Sequence, residues 1–361
     1  MSSTPKDAGA PARAGEGTEM PRQAADGARL MELFVFNTDV LLYAYAGDGE
    51  DPRDPAVAAR LDEALIAARD RCWFFEHAFS RTRADSDIAR AHAAAPEPVE
   101  VCPETAELVE LALGYCQQSQ GRFDITMGTV TSLWDFHNHV VPAPLAVARA
   151  LEHVGYERIC VDCAGGVPTL AISDPATILD LGGVAKGYIA DDLERLLRAH
   201  GVARFVLNLG GNVLVSGGRP ANDAARPRVA AGSPWRIGIV NPRDVAHHRA
   251  VVQLAEGSVV TSGIHERSFA QGGVWYHHIL DPATGMPAKT DVVSATIIAA
   301  RSMDCDGWST TAFMLGAERA IDTIEQLEGI EAVLIDERDE VWWTSGIEDA
   351  LSLIPTLPQL V

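Results

Sequence analysis

The chain of 361 residues carries 50 acidic against 29 basic side chains, a formal charge of −21, with 47% hydrophobic residues. That length and apolar share suit one large or two modest domains with a sizeable core. The excess of acid excludes a general binder of nucleic acid or anionic membrane, which needs a basic footprint to displace counterions. It leaves room for one anionic small ligand at a local site.

No stretch approaches the roughly 18 to 20 uninterrupted apolar residues of a membrane helix. The first 30 residues lack the apolar core of about 7 to 15 residues that a signal peptide carries, so the chain is expected to be cytoplasmic. Six cysteines are too sparse for a disulfide framework. Cys160 and Cys163 form a lone CxxC in the strand-like run RICVDC, where an offset of three sends them to opposite faces.

Residues 1 to 29 contain no aromatic residue and no Val, Leu or Ile. They cannot bury enough surface to offset ordering, so a disordered tail ending near Leu30 is expected, followed by one folded unit over 31 to 361. Leu33 to Ala46 reads as a strand pair. Asp54-Pro55 supplies an N-cap and a first-turn proline for a helix with Val57, Leu61, Ala64, Leu65, Ala68 and Cys72 at helical spacing. A second helix follows Pro103, with Leu108, Leu111, Ala112 and Tyr115 on one face.

After about residue 155 short strands with turn signals take over: RFVLNL, WRIGIV, SVVTS, VWYHHIL, VVSATIIAA and AVLID with EVWWT. Helices are expected at 186 to 200 and from about 304 to 327, the latter broken near Gly316. The segment 218 to 234 reads as a loop insertion. Strands and helices do not alternate strictly, which favours an α+β fold.

Four segments hold more glycine and polar residues than their context needs. In Asp180-Leu181-Gly182-Gly183-Val184-Ala185-Lys186-Gly187-Tyr188 a strand end runs through glycines into a helix, where free amides and Lys186 can make an anion site. A tight turn with a solvated lysine satisfies the same residues. Asn208-Leu209-Gly210-Gly211-Asn212 reads as a bulge or turn between strands.

In Thr261-Ser262-Gly263 with His277-His278-Ile279-Leu280-Asp281-Pro282, two histidines end an apolar strand. One of them faces inward and needs a partner such as Asp281. In Asp304-Cys305-Asp306-Gly307-Trp308-Ser309-Thr310-Thr311, Asp306 and Thr310 are four apart on one helix face. Carboxylate and hydroxyl are hard oxygen ligands suited to magnesium; taken alone, the segment reads better as an N-capping cluster of Asp and Ser.

The joint order of DLGGVAKGYIAD, LNLGGN, TSG, HHILDPATG and DCDGWSTTAFMLG, preceded by GRFDITMGTVTSLWDF at 121 to 136, resembles the ApbE family, the FAD:protein FMN transferases. The likeness runs from about Phe36 to Trp343. It implies an α+β, ApbE-like (T-fold-related) architecture of mixed sheets with packed helices in two tightly joined subdomains. It also implies that FAD is split at its pyrophosphate and that the FMN half moves onto a Thr or Ser hydroxyl of a target flavoprotein, with release of AMP. The resemblance implies Mg2+ held by Asp306, Ser309, Thr310 and the carbonyl of Gly183. Flavin contacts are implied at Phe36, Arg122, Phe123, Asp124, Asp180, Lys186 and Ile279. His278 matches the proposed base, and His277 is then expected to point the other way.

The chain departs from the family pattern in three places. Phe36-Asn37-Thr38 stands where Met-Gly-Thr is common, Thr82 where an aromatic packs on the cofactor, and His92 where asparagine is usual. Which side chain replaces the contact at Thr82 is left open, as is a homodimer. FAD hydrolysis to FMN and AMP would use the same ligands. A flavin carrier without turnover would not need Asp306, Thr310 or His278.

Overall fold

The helical spacing from Val57 to Cys72 belongs to the helix Pro55–Phe79 of the computed structural model, which describes residues 17–220, 230, 232–264 and 267–355. Asp54 caps it by accepting the Ala56 amide at 2.8 Å, and the stripe from Leu61 through Phe75 is buried. The helix after proline is Pro103–Gln118, with Leu108, Ala112 and Tyr115 buried. Ala185–Ala199 follows the glycine turn. The last helical stretch is two helices, Ser302–Leu315 and Ala317–Ile324, separated at Gly316, whose φ of 83° only glycine adopts at little cost.

Nine strands form one sheet in strict chain order: Arg22–Gln23, Arg29–Val35, Thr38–Tyr45, Arg204–Leu209, Asn212–Ser216, Gly257–Gly263, Val292–Ala299, Ile330–Asp336 and Val341–Trp343. Every pairing is antiparallel. The helices are inserted between strands, which makes the fold α+β as expected. Alternation along the strands divides the two faces. Ala295, Ile297, Ala332 and Leu334 join the main core beneath the helices. Ile298, Val259, Val333 and Ile335 pack on the other face, against a three-stranded sheet containing Trp235–Asn241, Asp244–Leu254 and Leu351–Leu353. The main apolar cluster draws on residues from Met31 to Leu334, so the expected subdomains share one core.

The ordered fold begins before Leu30. Arg22 and Gln23 pair with Leu30 and Arg29, Tyr45 Oη donates to Asp26, and the Arg69 guanidinium donates to the Glu19 carbonyl. These residues are held by main-chain pairing and polar contacts rather than by the apolar burial that composition measures, so the tail boundary moves back. Residues 1–16, and 221–229 and 231 of the expected loop insertion, lie outside the described residues.

Candidate active site

Two hairpin tips meet at one end of the sheet. Phe36 and Asn37, both at φ 57°, join Arg29–Val35 to Thr38–Tyr45; Gly210 and Gly211, at φ 63° and 94°, join the next pair. Two-residue turns with positive φ match the twist of paired strands. A Cβ on Gly210 would fall onto the Thr38 side chain. The expected turn at Gly210-Gly211 is present and is also part of a wall. The tips border a cleft of about 590 Å³ completed by the start of Ala185–Ala199, one face of Ser302–Leu315, the loop at 122–124 and the chain at 278–280.

The twelve residues for which the resemblance implies a catalytic, flavin-binding or metal-binding role line this one cleft: Phe36, Arg122, Phe123, Asp124, Asp180, Gly183, Lys186, His278, Ile279, Asp306, Ser309 and Thr310. Their local roles differ. Asp306 is buried, and its Oδ2 accepts the Gly187 amide at 2.6 Å. Burial raises its pKa, against which Lys186, the Gly187 amide and Asn212 act. Among the described residues it makes no ion pair within 4.0 Å. Ser309 Oγ donates to the Asp306 carbonyl at 3.2 Å and lies 2.8 Å from Ser262 Oγ. Thr310, one turn past Asp306, is half-buried and faces the cleft.

Asp304 and Asp306 do not cap their helix. That task falls to Asp191, which accepts the amides of Ser302 at 2.7 Å and Met303 at 3.1 Å. The capping alternative for the DCD cluster is therefore corrected.

The glycine turn is also built differently from a cradle of free amides. Gly182's amide donates to Asp180 Oδ1 at 2.9 Å and Gly187's to Asp306, so two of its amides serve the protein's own carboxylates. Positive charge at the cleft comes instead from side chains: Lys186, Arg122, Arg267 and Arg81. Arg81, not singled out in the sequence, pairs with Asp180 Oδ2 at 3.1 Å. Its signal was its place in the segment FSRTRADSDIARAH, which holds Thr82 and His92. A Cβ on Gly183 would sit 2.9 Å from the Phe123 ring, so the close approach of loop and turn requires glycine.

Asp124 lines the cleft, yet its carboxylate holds the loop together: Oδ1 accepts from the Thr126 amide and hydroxyl, and Oδ2 from the Tyr156 amide. Burial raises its pKa. His278 is half-buried, with its amide donating to the Arg267 carbonyl at 3.1 Å. Burial first, then the Arg267 charge, brings its pKa down to about 4, so the imidazole is neutral at pH 7.

His277 points the other way as expected, buried edge-on against Phe313 at 5.5 Å. Its expected partner Asp281 instead closes the following turn, accepting the Ala283 amide at 2.9 Å, and burial lowers the His277 pKa. His92 stands outside the cleft and accepts the Leu179 amide at 2.8 Å, one residue before Asp180. Thr82 lines the cleft but is exposed; Phe36, Phe79 and Phe136 are the partly buried aromatics around it.

The residues present fit a hard divalent cation. The donors are one buried carboxylate without an ion-pair partner, two hydroxyls and a carbonyl, all oxygen. Among the described residues no group of three His, Cys, Asp or Glu could hold a metal, so such a site would depend on these neutral oxygens beside Asp306.

The sequence profile of the ApbE family matches residues 38–334. A protein of Treponema pallidum (strain Nichols) named FAD:protein FMN transferase is 35% identical over 82% of this chain and 83% of its own. One of Klebsiella pneumoniae (strain 342) with the same name is 32% identical over 85% and 89%. Among solved structures, the ApbE protein from Thermotoga maritima superposes with a TM-score of 0.75 at 26% identity, covering 90% of this chain and 99% of that one.

Proposed function

Because the chain belongs to the ApbE family, we propose that it is a flavin transferase moving the FMN half of FAD, with magnesium, onto a Thr or Ser hydroxyl of a target flavoprotein and releasing AMP. The observation that carries this reading is the convergence of Lys186, His278 and the oxygen set of Asp306 and Thr310 on one cleft.

In the proposed step the acceptor oxygen forms a bond to the FMN phosphorus and the bridging P–O bond breaks. AMP leaves with the bonding pair, and the hydroxyl proton passes to His278. Phosphoryl transfer asks a protein mainly to position groups and to offset charge. Lys186, Arg122 and Arg267 offset the diphosphate charge. His278 is neutral at pH 7 and has a lone pair for the proton, while the burial and Arg267 charge that lower its pKa make it a weaker base than an ordinary histidine. Asp306, Ser309, Thr310 and the Gly183 carbonyl would hold the magnesium, which supplies a divalent charge to the diphosphate. Phe36, with Phe79 and Phe136, offers ring surface to the flavin or adenine.

The test is to mix the protein, FAD, magnesium and a purified candidate acceptor flavoprotein. A fluorescent acceptor band surviving denaturation is expected, and it should be lost with Asp306→Asn. Release of FMN and AMP without that band, across acceptors carrying an accessible hydroxyl, would replace transfer by hydrolysis.

A further inference from the structure

Leu179, the residue before Asp180, is fully buried, and the stretch from Ile178 to Asp180 lies outside the strands. A buried amide outside a sheet needs an acceptor of its own. Each amide here has one: Ile178 donates to Thr129 Oγ1 at 2.8 Å, Leu179 to His92 Nε2 at 2.8 Å and Asp180 to the Ile125 carbonyl at 2.7 Å. Thr129 and Ile125 belong to the one stretch that follows Arg122. His92 comes from a separate helix, Asp87–Ala94.

Eight residues do not hold a helix by themselves, and this one is pinned at its start. Ser86 Oγ accepts the Ala89 amide at 3.0 Å, and Asp87 Oδ2 accepts the Cys102 amide at 2.9 Å and the Thr105 hydroxyl at 2.7 Å. Ile88 and Ala91 join the main core. The same segment supplies Arg81, which pairs with Asp180 Oδ2 at 3.1 Å. Residues 81 to 92 therefore hold Asp180 twice, Arg81 by its carboxylate and His92 by the main chain behind it. The other carboxylate oxygen takes the Gly182 amide at 2.9 Å, so the glycine turn is built on the same residue.

We infer that His92 is a positioning residue for FAD: its Nε2 lone pair, aimed at the Leu179 amide, fixes the main chain from which Asp180 and the glycine turn meet the substrate. The inference rests on the reading of the cleft as the FAD site and adds a residue outside it that touches no substrate. Burial first, then the Arg81 charge, lowers the His92 pKa against the pull of Asp180, so at pH 7 the ring is neutral, with its proton on Nδ1. A residue that places FAD alike in the ground and transition states moves affinity and leaves kcat alone.

The test titrates FAD into the magnesium-loaded chain at pH 7 and measures transfer to a purified acceptor flavoprotein at saturating FAD. His92→Ala should raise the FAD Kd at least tenfold, because a buried amide loses its acceptor, while kcat and the acceptor KM change less than twofold. Should that variant fail to fold, His92→Leu fills the space without an acceptor and carries the same expectation. His92→Gln, whose Oε1 reaches the same amide, should bring the Kd back to within threefold of the parent. On an Asp180→Ala background the Ala change should raise the Kd less than twofold further, whereas a ring that only props the fold would add its full effect. An FAD Kd within twofold of the parent for His92→Ala or His92→Leu, a Gln variant as weak as the Ala one, or full additivity with Asp180→Ala overturns the positioning role while leaving the FAD site intact. A parent chain that binds no FAD removes the reading of the cleft, and the positioning role with it.

Discussion

The Gly187 amide donates to Asp306 Oδ2 at 2.6 Å, which ties the first turn of the helix carrying Lys186 to the helix carrying Thr310. A buried carboxylate is held in place by the same short stretch that supplies Lys186, whose charge acts on it. Gly187 also allows this approach, since a Cβ there would lie 2.5 Å from the Ser302 carbonyl. Gly187→Ala should destabilise the fold by about 1–3 kcal/mol, the cost of overpacking a tight contact. It should also weaken magnesium binding. Denaturant melts and calorimetric titration with magnesium check the two effects, and an unchanged melt would show that the helices can part freely.

Asp306→Asn keeps the shape and removes the charge. Burial already disfavours the ionised carboxyl, so the variant should be at least as stable as the parent in the absence of metal. Magnesium affinity and flavin transfer should both fall by about two orders of magnitude, in line with loss of a group that stabilises transition-state charge. Parallel thermal melts, metal titrations and turnover measurements separate the stability effect from the chemical one.

For His278 the pH dependence has a definite sign. Its folded pKa lies near 4, below the ordinary value of about 6.5, because burial and Arg267 disfavour the charged ring. The neutral base form therefore persists as pH falls from 7 to 5.5, and the acid limb of kcat/KM should appear between about pH 4 and 5. A limb near 6.5 would mean that the histidine is solvated in the working enzyme. His278→Ala should bind FAD and transfer little flavin.

Much of this was legible in the sequence. The strand at Val292 and the helix after Asp54 announce themselves by periodicity and capping, and the eleven residues marked by linked motifs line a single cleft together with Phe36. What escaped had a physical reason. The helices Asp87–Ala94 and Pro144–Leu151 are eight residues each, too short to display a period. The strand Asp244–Leu254 begins with an exposed, histidine-rich half that shows no alternation. Arg81 and Asp191 act across the fold, on Asp180 and on the Ser302 amide, and such partners are set by tertiary approach alone.

Phe36 sits at φ 57°, a conformation that costs a non-glycine residue about 1–3 kcal/mol and is retained where its side chain has work to do. Phe36→Gly should relieve that strain, leaving stability unchanged or slightly higher, while FAD affinity falls severalfold. Melting and FAD fluorescence titration on one sample report both. A loss of stability with unchanged affinity would make the ring a structural prop.

The chain's field opposes its proposed substrate, for both the protein at −21 and the FAD diphosphate are anionic. Attraction has to arise within the cleft, from Lys186, Arg122, Arg267 and Arg81. Without magnesium, FAD binding should be weak and should tighten as salt screens the repulsion beyond about 10 Å at 0.1 M. Metal-free affinity that falls with salt would show that the local cations already outweigh the whole-molecule field.

The most direct measurement of the central claim is the intact mass of a purified acceptor flavoprotein after incubation with this chain, FAD and magnesium, with AMP quantified in the same tube. Transfer predicts an acceptor heavier by FMN less one water, one AMP per modified acceptor, and both products formed about a hundredfold more slowly with Asp306→Asn. Free FMN and AMP in equal amounts beside an acceptor of unchanged mass would contradict it.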